Sequence, residues 1–206
     1  MIASRSAADL VYTFDQDEFR VAPHQSINID VYLSQNDPTG DPVDLRTDGL
    51  FSGGVRVVFS ENPPTEPATI SSLLDITPNP LFDDNLLGEE LFLEPGVSVG
   101  FVDGVADAFS PLKGTRILLG SLRFTAGGRP GDITTLIATD LRPTDDTIAG
   151  DPNFTALDDL IRDGLAKITV AAVPEPSSAI FLAIVSCAIT LKVMFKKRLA
   201  VQVVRK

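Results

Sequence analysis

Carboxylates are the residues best placed to do chemistry in this chain. It has 28 Asp and Glu, against one histidine, one cysteine and no tryptophan. Three acidic groupings stand out: Asp15, Asp17 and Glu18; Asp103 and Asp107 around a glycine-containing turn; and Asp140, Asp145, Asp146 and Asp151 in one stretch. Convergent carboxylate oxygens suit a hard cation such as calcium, which takes six to eight oxygen ligands. None of these runs follows the D-x-[DN]-x-[DN]-G-x5-E loop. Asp103, Asp107, Asp145 and Asp146 are therefore candidates for a structural calcium site, and solvated acidic turns are the competing reading. No other cofactor is expected. Two carboxylates could also cleave a glycoside, but no motif selects a pair and no tryptophan offers a sugar platform, so a glycan-active enzyme is a remote alternative. His24 stands beside Pro23 with no G-x-S-x-G element elsewhere and reads as a surface histidine. Cys187 lies in an apolar run, where a thiol is inert. The Asn153-Phe154-Thr155 sequon is short enough to arise by chance. No catalytic residue is assigned, and the chain is expected not to be an enzyme.

The elements that must carry these acids read as strands. Leu10–Phe14 is a plausible first strand. In Ile27–Leu33 the residues Ile27, Ile29, Val31 and Leu33 alternate with Asn28, Asp30 and Tyr32, the period-two pattern of a half-buried strand. Val55, Val57 and Phe59 share a face after Gly53-Gly54, and Val97–Val102 is a short apolar stretch. In Ile117–Ala126, Leu118, Leu122 and Phe124 are expected on one face and Leu119, Ser121 and Arg123 on the other. Gly127–Gly131 turns the chain, Ile133–Thr139 follows, and Ala166, Ile168 and Val170 alternate with Lys167 and Thr169. Pro63–Pro67 and Pro78–Leu93 read as long loops with a short strand near Thr69–Ile76. One segment looks helical: it starts at Asp151-Pro152-Asn153, carries Leu157, Leu160 and Ile161 at helical spacing and stops at Gly164. Eight or nine short strands predict an all-β antiparallel sandwich, jelly-roll or cohesin-like, over residues 10–170.

Charge divides the chain. No Asp or Glu follows Glu175, whereas Lys192, Lys196, Lys197, Arg198, Arg205 and Lys206 do. The part up to Pro176 thus holds 11 basic against 28 acidic residues, a net charge of −17. A body this acidic repels nucleic acid and anionic lipid. It contains no cysteine, so neither a disulfide framework nor a cysteine-based metal site is available. Residues 171–178, with Pro174 and Pro176 around Glu175, form an extended linker. Residues 179–195 are apolar over a length at the short end for a single membrane-spanning helix. Lys192 can snorkel, Lys196, Lys197 and Arg198 act as a stop, and the basic tail (196–206) stays cytoplasmic under the positive-inside rule. A buried core helix and a plain single-pass anchor are the alternatives. Residues 1–9 have no apolar core of the kind a signal peptide needs. Since the rest implies export, a leader trimmed away or a misplaced start is expected.

Val173-Pro174-Glu175-Pro176-Ser177, a short apolar helix and a basic cluster, in that order, resemble the PEP-CTERM sorting domain of Gram-negative bacteria that make extracellular polysaccharide. The resemblance covers roughly Ala172–Arg198; Lys192 interrupts the helix early, and eight residues trail the cluster. It implies recognition of the Pro-Glu-Pro motif by an exosortase, a membrane-embedded processing enzyme. It also implies a route from the inner membrane to the cell surface or extracellular matrix. The body resembles a cohesin-like or carbohydrate-binding-module-like sandwich. The carriers are the strand Ser26–Ser34 after Ala22-Pro23, the glycine-opened strand Gly53–Ser60, and Leu118–Phe124 followed by a glycine-rich turn and Ile133–Thr139. That likeness implies a structural or adhesive module, or a binding module for a polysaccharide or surface protein.

Overall fold

Alternating apolar residues become strands when one face can be buried, and here they do so twice over. The computed structural model describes residues 10–39, 41–61, 66–83, 89–105, 107, 110–142 and 146–172. Within these, β1 (Leu10–Phe14), β2 (Glu18–Val21), β3 (Ser26–Gln35), β4 (Leu50–Glu61), β5 (Ile76–Pro78) and β6 (Glu90–Glu94) come first. They are followed by β7 (Ser98–Gly104), β8 (Arg116–Thr125), β9 (Ile133–Thr139), β10 (Ile148–Ala149), β11 (Ile161–Arg162) and β12 (Gly164–Val170). One sheet runs β11-β1-β3-β8-β5; the other runs β2-β12-β9-β4-β7-β6, with β10 added beside β4. The result is an all-β sandwich. Its pairings are antiparallel except for two: β1 lies parallel to β11 and β2 parallel to β12. The expected purely antiparallel arrangement is corrected at these two edges.

The core lies between the sheets. Ile29, Val31, Leu33, Val55, Val57, Leu122 and Phe124 are fully buried, as their alternation predicts. Phe59 of β4 meets Phe124 of β8 edge-on, with centroids 5.5 Å apart, so this pair bridges the two sheets. Gly120 is required by close approach: a Cβ there would come within 2.6 Å of the Phe101 ring from the opposite sheet.

Several expectations fail for identifiable reasons. In β8 the pairing with β3 shifts register between Val31 and Tyr32, so that Val31 faces Gly120 and Tyr32 faces Leu118. Leu119 is the extra residue of a bulge. The inward phase therefore changes along the strand: Ile117 and Leu119 are buried before the bulge, Leu122 and Phe124 after it. Leu118, expected inward, is only half-buried. The stretch 151–164 is not a helix. The Asp151 carboxylate accepts the Thr155 and Asn153 amides at 2.7 and 3.2 Å, drawing backbone donors into a local turn instead of a helical ladder. Phe154 takes a positive φ of 49°. Leu157 is buried and donates its amide to the Thr147 carbonyl, leaving a 3-10 turn at Asp158–Leu160 before β11. Glu90–Glu94, read as loop, is an edge strand with Leu91 and Leu93 packed against the core. Its outward glutamates protect that edge from further pairing. The expected short strand reduces to a bridge at Thr69 and the strand Ile76–Pro78. The linker, apolar helix and basic cluster from Val173 onward lie outside the described residues. Among the described residues, no helix is long and apolar enough to cross a membrane.

Candidate functional site

Three carboxylates meet at one end of the sandwich. Asp140 directly follows β9, Asp146 stands just before β10, and Asp158 opens the 3-10 turn that leads into β11. One oxygen from each lies within 4.8 Å of the others. Asp146 is 7% exposed, and the other two are half-buried. The cluster rests on β4: a Cβ on Gly54 would sit 2.5 Å from the Asp146 carboxyl carbon, so glycine leaves the room this side chain occupies. Around it, Tyr12 donates its hydroxyl to the Gly54 carbonyl at 2.9 Å. The Ser52 hydroxyl donates to the Asp146 carbonyl at 3.0 Å, and the Thr147 amide donates to Asp158 Oδ1 at 3.1 Å.

The electrostatics follow from crowding like charges away from water. Burial, the adjoining Asp158 carboxyl, and the charges of Asp140 and Asp158 push the Asp146 carboxyl up to about 8, with the Thr147 hydroxyl opposing. Burial and the charge of Asp158 also raise Asp140. Burial lifts the Tyr12 phenol far above its ordinary value; the Thr147 hydroxyl works against this and the three carboxylates add to it. Asp140 Oδ1, Asp146 Oδ2 and Asp158 Oδ2 are buried oxygens with no hydrogen-bond partner.

A second feature is the outer face of the five-stranded sheet. The Arg116 guanidinium stacks 3.7 Å above the Tyr32 ring and donates to the Phe14 carbonyl at 2.9 Å. The Tyr32 hydroxyl donates to Asp30 Oδ2 at 3.2 Å, and the Ser121 hydroxyl donates to Asp30 Oδ1. Burial and then the charge of Asp30 raise the Tyr32 phenol. Beside this network lies a groove of about 570 Å³ bordered by Asn28, Thr77, Arg123 and Leu74. Leu74 is 92% exposed. The face thus offers an ordered Tyr–Arg–Asp network next to a polar groove with an apolar rim.

The residues singled out from sequence are dispersed, with one exception. Asp140 and Asp146, from the same acidic stretch, join in the cluster, and their partner there is Asp158. Among the described residues neither Asp103 nor Asp107 belongs to that group. Asp103 accepts its neighbour Gly104's amide at 2.8 Å, and Asp107 accepts the Ser110 hydroxyl at 3.0 Å. Asp145 lies outside the described residues, as do Val173, Pro174, Glu175, Pro176, Lys192, Lys196, Lys197 and Arg198. Asp15 accepts the Asp30 amide, and Glu18 pairs with Arg20 and Lys167. Asp151 serves its own turn. Burial alone would raise its carboxyl, but the amides and hydroxyl of the turn hold it below the ordinary carboxylate value. His24 is exposed in the β2–β3 turn at φ 60°. Asp158 was missed because its stretch read as a helix; the Asp158-Asp159 pair at a turn was the available signal.

No protein-family model matches this sequence, and neither does any curated protein. Solved structures do match. The third cohesin of ScaC from Acetivibrio cellulolyticus, in complex with the ScaB dockerin, covers 79% of this chain and 99% of its own, at 11% identity and a TM-score of 0.51. The sixth cohesin of scaffoldin B from Acetivibrio cellulolyticus, in complex with a Cel5 dockerin, covers 80% of this chain and 99% of its own, at 12% identity and 0.49. CaCohA2 from Clostridium acetobutylicum covers 81% of this chain and 94% of its own, at 13% identity and 0.49. The body is a two-sheet all-β sandwich, and its fold is cohesin-like.

Proposed function

We propose that the body is a protein-binding module of the cohesin kind, displayed outside the cell. The carrying observation is the ordered Tyr32–Arg116–Asp30 network on the outer face of the five-stranded sheet of a cohesin-like sandwich. Tyrosine and arginine dominate binding hot spots when held in place, and these two are held before any partner arrives. The third ScaC cohesin was solved in complex with the ScaB dockerin, which supports a protein partner for this face. The tail supplies delivery: Val173-Pro174-Glu175-Pro176, the apolar run and Lys196-Lys197-Arg198 act as a PEP-CTERM-type signal for an exosortase. The body is then released from the inner membrane to the surface or matrix, and it performs no catalysis of its own.

The test is capture by immobilised residues 10–172 from surface-protein and polysaccharide fractions of a producing bacterium. A protein should be retained, and Arg116→Ala and Tyr32→Ala should each weaken it by roughly 2 kcal/mol, about thirtyfold. Retention of polysaccharide alone would favour an adhesive matrix role. Equal binding by both variants would remove this face from the reading.

A further inference from the structure

We propose that Asp140, Asp146 and Asp158 form a calcium site that ties the two sheets together at one end of the sandwich. The inference rests on neither the sorting tail nor the protein-binding face.

Acidic side chains cluster on many surfaces without holding an ion, so the weight lies on the orphaned oxygens. Asp146 is 7% exposed, its Oδ2 is buried without a hydrogen-bond partner, and one of its carboxylate oxygens lies within 4.8 Å of oxygens of Asp140 and Asp158. Asp140 Oδ1 and Asp158 Oδ2 share that condition. Among the described residues, no other buried side-chain nitrogen or oxygen lacks a partner. A buried acceptor left unmade is costly, and native structures rarely leave one unless an ion or water completes it. Three of them, on carboxylates that converge to within 4.8 Å, point to a cation. Among the described residues, no lysine or arginine supplies that charge by an ion pair to any of the three.

The donor set selects the ion. All three donors are carboxylate oxygens, with no histidine or cysteine, which disfavours zinc and other softer metals. The three oxygens lie within 4.8 Å of one another, close enough to share one ion, and calcium accepts an irregular, partly hydrated oxygen set where magnesium demands a near-ideal octahedron. The half-exposed Asp140 and Asp158 leave an open side for the water ligands that calcium would add. Gly54 forms the floor, since any Cβ there would displace the Asp146 carboxyl.

The placement gives the ion a mechanical task. Asp140 directly follows β9 of the seven-stranded sheet, and Asp146 stands just before β10, which pairs with β4 of that sheet. Asp158 leads into β11, which pairs with β1 in the five-stranded sheet through Leu10 and Ile161. One cation thus joins connections that belong to both sheets. Such a site would fill at the calcium concentrations met by extracellular modules, on the order of 0.1–1 mM.

The chain provides its own reporter. It has two tyrosines and no tryptophan, and Tyr12 bonds to Gly54, the residue against which Asp146 rests. Terbium, a luminescent stand-in for calcium, emits when excited through a nearby tyrosine. The experiment uses the full chain in mild detergent, stripped with EGTA. Tyrosine-excited terbium emission should saturate, be displaced by calcium, vanish in Tyr12→Phe and persist in Tyr32→Phe. Calcium should raise the melting temperature of wild type and of Tyr12→Phe. Asp158→Asn should weaken calcium binding by about tenfold or more, through loss of one of three charged ligands. Asp140→Asn, at a half-exposed position, serves if Asp158→Asn fails to fold, as judged by circular dichroism. Emission independent of Tyr12, undiminished emission in both Asn variants, or equal melting in calcium and EGTA would overturn the site. So would a cluster that responds to pH alone and not to calcium.

Discussion

Metal-free protein should lose stability as pH rises from about 4 to about 8, and Asp146→Asn should abolish most of that loss. The Asp146 carboxyl has an ordinary value of 3.8 and is pushed up to about 8 in the folded chain. Between those values the folded state keeps a proton that the unfolded state releases. Stability therefore falls with pH across that window, with a ceiling of about 1.4 kcal/mol per pH unit for one retained proton. Below the window, both states are protonated and the penalty is absent. The groups facing Asp146 are Asp140, Asp158, Tyr12 and Thr147, so no neighbouring cation offsets the charge. The self-repulsion of a body carrying −17 adds a slope of its own, but wild type and variant share it, and the difference between them isolates Asp146. The assay is urea unfolding in EGTA at pH 5, 6, 7 and 8. Asparagine is neutral, as the protonated acid is, so the two proteins should be similar near pH 5. At pH 8 the variant should be more stable by about 1–3 kcal/mol, the scale of relieving a buried, unpaired charge. Asp151, whose carboxyl is lowered, contributes stability that is lost only as pH falls below about 4, outside this window. Parallel pH profiles for the two proteins would refute the reasoning.

Three further outcomes follow from the geometry. Leu122→Ala, at a fully buried position beside the inter-sheet aromatic pair, should cost about 2–5 kcal/mol in urea unfolding. Gly164→Ala would set a Cβ 2.1 Å from the Tyr12 carbonyl oxygen; backbone cannot rotate away as a side-chain tip can, so a loss of at least about 1–3 kcal/mol is expected, read as a lowered melting temperature. Glu175→Gln in a host with an exosortase should leave full-length protein in the membrane. It removes a charge-assisted contact worth about 1.5–3 kcal/mol, so processing measured by immunoblot should slow by roughly ten- to a hundredfold.

The sequence by itself determined the class of fold, because alternation is a local property. Ile29, Val31, Val57, Leu122 and Phe124 had to share a buried side with their neighbours at period two whatever lay opposite. The charge reversal after Glu175 and the absence of cysteine from the body were legible in the same way. Tertiary structure decided what depends on partners distant in the chain. Leu119 turned inward because β3 and β8 pair through a bulge, and a bulge exists only between two strands. The stretch 151–164 has helical spacing, yet Asp151 captured its amides and Leu157 was claimed by the core, so packing overrode the pattern. Glu90–Glu94 became a strand because β7 stood ready to pair with it. The acid cluster was the least legible feature of all. Asp140, Asp146 and Asp158 are six and twelve residues apart, a spacing with no meaning on any single helix or strand. They meet because β9, β10 and β11 return to the same end of the sandwich, where Gly54 leaves room for a carboxylate and water is excluded from its oxygens.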